Sequence, residues 1–147
     1  MTADADLDRL LGSLRPVVRD GEYVFISLTG APAVPCEATI AEDEGLTCVV
    51  RRTTADEMGW PYDFVAGWIT LRVHSDLAAV GLTAAFSEAL AAAGLPCNVL
   101  AGYFHDHVLV PIDRVDDALA VLGDLSARHR REPGEGSPHA ARHSPDR

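Results

Sequence analysis

The chain has 147 residues, 48% of them hydrophobic, and a formal net charge of −10. The length suits one domain or two small ones sharing a core, and the apolar content excludes a wholly disordered chain. The acidic balance argues against nucleic-acid binding by the folded part. The absence of lysine excludes Schiff-base chemistry and a phosphate-binding-loop lysine.

Cysteine usage and the N-terminus predict a cytoplasmic protein. The chain has three cysteines, Cys36, Cys48 and Cys97. Their odd number and wide spacing are typical of reduced, buried thiols rather than of a disulfide framework or a zinc site. The N-terminus is acidic and lacks a secretory apolar run, and no segment approaches the roughly 20 apolar residues of a membrane span. No cofactor motif is present, so we expect none to be bound.

The first half of the chain predicts one helix, three strands and a second short helix. Leucines at helical spacing indicate the first helix, and β-branched and aromatic runs indicate the strands. In chain order these are a helix over 4–15 that Pro16 ends or closely follows, a turn over 20–23, a strand over 22–29, a hairpin over 36–52 with an acidic tip at 42–45, and a short helix capped by Thr53.

The second half predicts the order strand, helix, strand, strand, helix. Its elements are a strand over 67–75, a helix over 76–94 with Gly94 as its C-terminal cap, strands over 96–104 and 108–112 joined by His105-Asp106-His107, and a helix capped by Asp113. From residue 128 apolar periodicity is lost, and Pro, Gly, Ser, His and Arg predict a disordered tail.

This order predicts an α+β fold of ferredoxin-like βαββαβ type, with helices on one face of the sheet. The second half alone supplies only three strands, which is marginal for a stable sheet. We therefore expect the first half to provide the missing strand, so that two units share one sheet and core.

Five motifs resemble the ACT domain family, in a form with two tandem ACT-like units in a small stand-alone protein. They are "GEYVFISL", "EDEGLTCVV", "VHSDLAAVGLTAA", "NVLAGYFHDHVLVP" and "DDALAVL". The resemblance implies an N-terminal unit over 1–63, a C-terminal ACT domain over 64–127 and a tail over 128–147. It also implies a regulatory, ligand-binding role, usually for an amino acid.

In ACT domains that resemble this chain, the segment from strand to helix lines the ligand site. A ligand carboxylate is stabilised by free amides at a helix N-terminus, and Gly81 would allow close approach to the backbone. The alternative is that Ser75 or Asp76 simply caps the helix. The predicted ligand-binding residues are Ser75, Asp76, Leu77, Val80, Gly81, Leu82, Asn98 and Val99.

The two histidines around Asp106 leave two hypotheses open. One is a metal site formed by His105 and His107 with His74 as a third ligand. The other is a structural tip, with Asp106 accepting backbone hydrogen bonds and the histidines packing or hydrogen-bonding across a unit or subunit interface. The predicted turn or interface residues are Trp68, Arg72, His74, His105, Asp106 and His107; no metal ligand is assigned.

The sequence thus predicts a non-enzymatic protein with no catalytic residues. Ser75 cannot form a nucleophile–base pair with its neighbour His74, because adjacent strand residues point to opposite faces. We expect an amino-acid ligand, self-association and no nucleic-acid or membrane partner. The competing hypotheses are a scaffold module without ligand and a metal-dependent hydrolase acting through His105-Asp106-His107.

Overall fold

A computed structural model describes residues 3–73 and 78–130. Within these residues the chain forms four α-helices and one antiparallel sheet of six strands, ordered β2-β3-β1-β4-β6-β5. The helices are α1 Ala3–Ser13, α2 Arg52–Met58, α3 Leu82–Ala92 and α4 Val115–His129, which follows a 3-10 turn, Ile112–Arg114. The strands are β1 Arg15–Leu28, β2 Ala38–Glu42, β3 Gly45–Arg51, β4 Val65–Arg72, β5 Asn98–Ala101 and β6 Asp106–Pro111.

Strands β1 and β4 belong to both halves of the sheet. Residues 15–19 of β1 pair with residues 68–72 of β4, and residues 23–28 of β1 pair with β3. The start of β1 is therefore the fourth strand that the β4-α3-β5-β6-α4 unit lacks. The predicted ferredoxin-like fold and its shared sheet are confirmed.

Strand β1 begins seven residues before the predicted strand and continues through the predicted turn at 20–23. The turn prediction was wrong because Gly21 adopts φ +99° within a bulge, which lets the extra residues leave the ladder without reversing the chain. Arg19 pairs with Trp68 and Tyr23 pairs with Ala66, so three residues of β1 stand opposite Gly67. Pro16 closely follows α1, as predicted, and lies in β1 at a position where that strand has a neighbour on one side only.

All four helices cover one face of the sheet. Residues Val65, Ile69 and Leu71 alternate along β4 and point to this face. Two clusters lie beneath the helices: a large one under α1, α3 and α4, and a smaller one under α2 that contains Val24, Ile26, Cys48, Val50 and Ala55. Phe86, Leu90 and Leu122 are fully buried in the large cluster.

The opposite face has no helix in the described part of the chain, yet its centre is buried. Trp68 is 3% exposed, and Tyr23 and Leu109 are fully buried on this face. The sheet curls around these rings, with the Tyr23 and Trp68 ring centroids 5.1 Å apart in an edge-to-face arrangement. The face therefore has a core of its own.

Several element boundaries differ from the predictions. Helix α3 begins at Leu82 rather than at residue 76, because Gly81 takes φ +98° and ends any continuous helical path. Helix α2 follows Arg51 directly and has no side-chain cap from Thr53, and the turn and helix after Pro111 have none from Asp113. The hairpin over 36–52 and its acidic tip are confirmed.

The close packing of β4 beneath α4 requires a glycine at position 67. A Cβ at Gly67 would lie 2.2 Å from Cγ2 of Val115. We expect Gly67→Ala to lower the free energy of unfolding by about 1–3 kcal/mol, because α4 must shift away from the sheet. Urea denaturation measures the change.

Gly123→Ala is the matched control, since a Cβ at Gly123 meets nothing within 4 Å and the residue lies inside α4. That variant should gain about 1 kcal/mol from helix propensity. Equal stability of the two variants would contradict the packing argument.

Candidate functional site

The N-cap residue of α3 is a glycine and so has no side chain to cap the first turn. This residue is Gly81, and its carbonyl accepts a 3.0 Å hydrogen bond from the Ala85 N–H. Val80 immediately before it is 87% exposed, whereas Leu82 is buried in the core. The first N–H groups of a helix have no partner within it, so this end can accept an anionic group.

Four predicted residues, His74, Ser75, Asp76 and Leu77, lie outside the described residues. Of the others, Gly81 and Leu82 form the α3 start, where Leu7 of α1 lies within 2.9 Å of a Cβ built on Gly81. The predicted cap by Ser75 or Asp76 falls on residues outside the described part of the chain; the N-cap residue of α3 is Gly81.

Asn98 is not brought to the α3 start within one chain. It pairs with Leu109, whose side chain lies on the helix-free face, and directly opposed residues share a face. Val99 points the other way and packs against the large core. Asn98 also lies three residues along β5 from the hairpin tip, about 10 Å.

The hairpin tip consists of residues 102–105 rather than of the three predicted residues. Asp106 and His107 lie in β6, opposite Leu71 and Thr70 of β4. The Gly102 N–H donates to the His105 carbonyl at 2.9 Å and closes the turn. Asp106 therefore takes part in strand pairing, and the turn prediction for it was wrong.

Two aromatic side chains project from this tip. Tyr103 is 77% exposed and Phe104 is 74% exposed, and their rings contact each other edge to face at 4.9 Å. The tip leaves the sheet at the end where β4 reaches Arg72, and the segment leading to α3 leaves at the same end. An exposed apolar pair at the end of the sheet from which the segment to α3 leaves is suited to contact another surface.

His107 is held by two side chains of β4. The Trp68 indole N–H donates to His107 Nδ1 at 3.0 Å, and Thr70 Oγ1 lies 3.1 Å from the same nitrogen. Because Nδ1 accepts from the indole, the proton of the neutral ring must be on Nε2, and the Thr70 hydroxyl donates to Nδ1. The sequence interpretation allowed a hydrogen bond from this histidine across an interface but did not name Trp68 or Thr70 as its partner.

Burial lowers the pKa of His107 below its usual value, and the neighbouring His105 and Arg19 add to the decrease, while Asp106 opposes it. A neutral imidazole fits its role as acceptor for Trp68. The ring is therefore uncharged where the hairpin meets the helix-free face.

Arg19 completes this face. Its guanidinium lies 4.7 Å from the Trp68 ring centroid and 5.6 Å from that of Tyr23, and it forms an ion pair with Glu37. The sequence analysis did not bring Arg19 and Tyr23 together with Trp68, because the bulge that aligns them has no clear signature. Trp68 is covered by its own chain, which leaves little of it to anchor a second copy, whereas Arg72 is exposed.

Metal binding has little support in the described part of the chain. No group of three or more His, Cys, Asp or Glu side chains there could hold a metal ion. His105 Nδ1 is buried with no hydrogen-bond partner in the structure, while His107 Nδ1 is already engaged. His74, the third ligand of the metal hypothesis, is outside the described residues.

Two family models match consecutive parts of the chain, and both describe an ACT domain. The first covers residues 2–67 and the second residues 64–124. A solved structure from Vibrio cholerae, described as a protein of unknown function and possible transport protein, is 40% identical, with a TM-score of 0.78. The match covers 85% of this chain and 99% of that one.

The chain belongs to the ACT domain family. The predicted resemblance to a small protein with two tandem ACT domains is confirmed. No curated protein matches the chain.

More distant structures share the fold. A protein from Agrobacterium tumefaciens is 16% identical with a TM-score of 0.60, covering 77% of this chain and 89% of its own. The ligand-free regulatory subunit of aspartate kinase from Thermus thermophilus is 13% identical with a TM-score of 0.54, covering 76% and 95%. Among the described residues, no helix is long and apolar enough to cross a membrane.

The pKa of His107 makes stability depend on pH. Because the pKa is lower in the folded state, protonation favours unfolding, so the stabilisation is present above the usual pKa of about 6.5 and is lost as pH falls through the folded value. We expect the free energy of unfolding to decrease between pH 7 and pH 5. In His107→Gln this decrease should be smaller.

Nitrogen-15 NMR of the imidazole checks the same prediction directly. The His107 signals should report the Nε2–H tautomer at pH 7.5 and a midpoint below those of model histidine peptides. A midpoint above 6.5 would contradict the proposed hydrogen bond from Trp68.

Proposed function

We propose that this ACT protein is a non-catalytic regulator that binds an amino acid at an interface built partly by the start of α3. The observation that carries the proposal is the first turn of α3, whose N-cap residue Gly81 has no side chain to cap it, in a chain of two tandem ACT domains. The aspartate kinase regulatory subunit among the related folds supports a regulatory role. Free cysteines in the described residues are compatible with a reducing, cytoplasmic setting.

The chemistry of the α3 start suits the carboxylate of an amino acid. The amides of the first turn donate hydrogen bonds, and the helix dipole adds positive potential at the same point. Val80 beside this turn is exposed, whereas the Cβ position of Gly81 faces Leu7 of α1, so the glycine permits close packing of α1 against the turn. Ser75 to Leu77 remain proposed contacts on the segment that enters this turn.

A second copy of the chain is the proposed source of the remaining contacts. Asn98 lies on the helix-free face, so in one chain it cannot reach a ligand at the α3 start. The edge position of β5 would allow Asn98 of another copy to supply an acceptor for the ammonium group. The exposed Tyr103 and Phe104 rings beside this end would become covered in such a dimer.

In this proposal ligand binding favours one arrangement of the two copies, and a partner protein responds to that arrangement. The free energy available for the change equals the difference in affinity between the arrangements. Arg72 and the hairpin tip, with His105, are the proposed contact residues.

Ligand binding is tested by thermal shift against the twenty L-amino acids and their D-enantiomers. A specific ligand at one hundred times its Kd should add about 2.7 kcal/mol to the free energy of unfolding. We expect a shift with one L-amino acid or a chemically related group. No shift with any of them, together with unchanged self-association, would favour the scaffold hypothesis.

Val80→Asp tests the site without altering the core, because Val80 is 87% exposed. The new carboxylate should repel the ligand carboxylate and weaken binding by about tenfold, which corresponds to about 1.4 kcal/mol. Val80→Asn is the matched uncharged control and should bind nearly as well as the original chain. Equal binding by both variants would contradict the proposed placement of the carboxylate.

A pair of glycine variants separates backbone strain from ligand contact. Gly81→Ala and Gly94→Ala place a side chain at φ +98° and φ +70°, at opposite ends of α3. Both should lower stability by about 1 kcal/mol or more. Only Gly81→Ala should also reduce the ligand-induced shift.

A further inference from the structure

Strand β1 has an open edge beyond the start of β4. The last pair between the two strands joins Val24 and Val65, while β1 continues to Leu28. Residues 60–63 run beside this part of β1, and no backbone hydrogen bond among the described residues joins them to it. Between the two segments lies a slot of about 310 Å³, lined by residues 25–28 and 60–63.

The pairing pattern identifies the backbone groups that face the slot. The Val49 carbonyl accepts from the Glu37 N–H on the β2 side, so Cys48 and Val50 direct their backbone groups to β1. Their partners Ile26 and Val24 are therefore bonded to β3. Ser27, one residue further along, directs its N–H and C=O away from β3 and into the slot, and the Phe25 carbonyl points the same way.

Residues 59–61 cannot close this edge. The N–H groups of Gly59 and Trp60 donate to the carbonyls of Asp56 and Ala55 at the end of α2, and Pro61 has no N–H. The equivalent position in the other half is filled, because residues 15–19 pair with β4. The N-terminal unit thus lacks the start of its fourth strand.

The far wall of the slot is aromatic and fixed. The Tyr62 hydroxyl donates to Asp56 at 2.7 Å and accepts from Arg52 Nε at 3.0 Å. Two other rings line the slot: that of Trp60, in the segment opposite β1, and that of Phe25, on β1 itself. These contacts hold the wall apart from β1 and keep the slot open to a ligand.

The charge at the slot is negative. Asp63 is the one ionisable residue that lines it, and the nearby Arg52 is paired with Glu22 at 3.1 Å. Aromatic faces beside a carboxylate favour a cation, through both Coulomb attraction and the ring quadrupole. An anionic ligand would meet repulsion here.

We propose that this slot binds a short basic peptide in an extended conformation, which adds as a strand to the open edge of β1. The peptide main chain would donate to the carbonyls of Phe25 and Ser27 and accept from the Ser27 N–H. An Arg or Lys side chain would lie against Trp60 near Asp63. Strand addition to a sheet edge is a general mode of peptide recognition.

The length of the edge favours a peptide over a free amino acid. Residues of the edge that face the slot are two apart, about 7 Å. A single amino acid reaches the groups of one such residue, whereas a tripeptide spans both. This inference concerns the N-terminal unit and does not depend on the ligand proposed for the α3 start.

The test is calorimetric titration of the full chain with acetyl-Arg-Val-Arg-amide. Acetyl-Glu-Val-Glu-amide and free arginine are the ligand controls, and we expect each to bind at least tenfold more weakly. A version of the basic peptide with its amide nitrogens methylated should also bind about tenfold more weakly, since it cannot donate hydrogen bonds to the β1 carbonyls. Equal binding of the methylated peptide would overturn strand addition.

Ser27→Pro and Ser27→Val form the matched pair of protein variants. Proline removes the N–H that faces the slot and leaves the β3 hydrogen bonds of Ile26 and Leu28 in place, whereas valine keeps the N–H. We expect about tenfold weaker peptide binding for proline and little change for valine. Amide signals of residues 25–28 in proton–nitrogen NMR spectra report on folding and binding at once.

Asp63→Asn tests the charge. This substitution should weaken binding of the basic peptide several-fold and reduce the salt dependence of that binding.

Removal of residues 131–147 should leave peptide binding unchanged. A large gain in affinity would show that this segment already occupies the slot, and would overturn the proposal of an external peptide. Loss of the α3 ligand in Val80→Asp with intact peptide binding distinguishes the two sites.

Discussion

The pairing of β1 with β4 is the contact on which the rest of the fold depends. Each strand is central in the sheet and serves both halves, so each unit is completed by chain from the other. A bulge at residues 20–22 shifts the register by two residues, so that Tyr23 lies opposite Ala66 and its ring contacts that of Trp68. Without that offset Tyr23 would lie opposite Phe64, one pair farther from Trp68.

The sequence predicted the class of fold well, because that class depends on periodicity. Apolar residues alternate in β4 with the two-residue period of a strand. In α3 the apolar stripe that includes Phe86 and Leu90 has the period of a helix, and both periods can be read from a single sequence. The missing fourth strand was anticipated from the count of strands alone. Its identity was not, because "RPVVRDGE" combines a proline, charges and a glycine that are typical of a turn.

The candidate site was predicted less accurately, for a reason visible at Gly81. The run of apolar and small residues from 76 onward satisfies helical spacing, yet the positive φ of one glycine moves the helix start to Leu82. Likewise, His107 belongs to β6 and pairs with Thr70, a contact across 37 positions of sequence. The pattern of residues close to His107 in the sequence cannot identify a partner that far away.

Sharing β1 and β4 has a consequence for communication within the molecule. The α3 start follows β4 after residues 73–81, and the open edge lies on β1, the strand hydrogen-bonded to β4. A ligand that displaces either strand must displace a part of both units, because hydrogen bonds join the two strands directly. Through this pair of strands, a ligand bound at one end of the sheet can change the affinity for a ligand at the other end. The two ligands then change each other's affinity by the same factor.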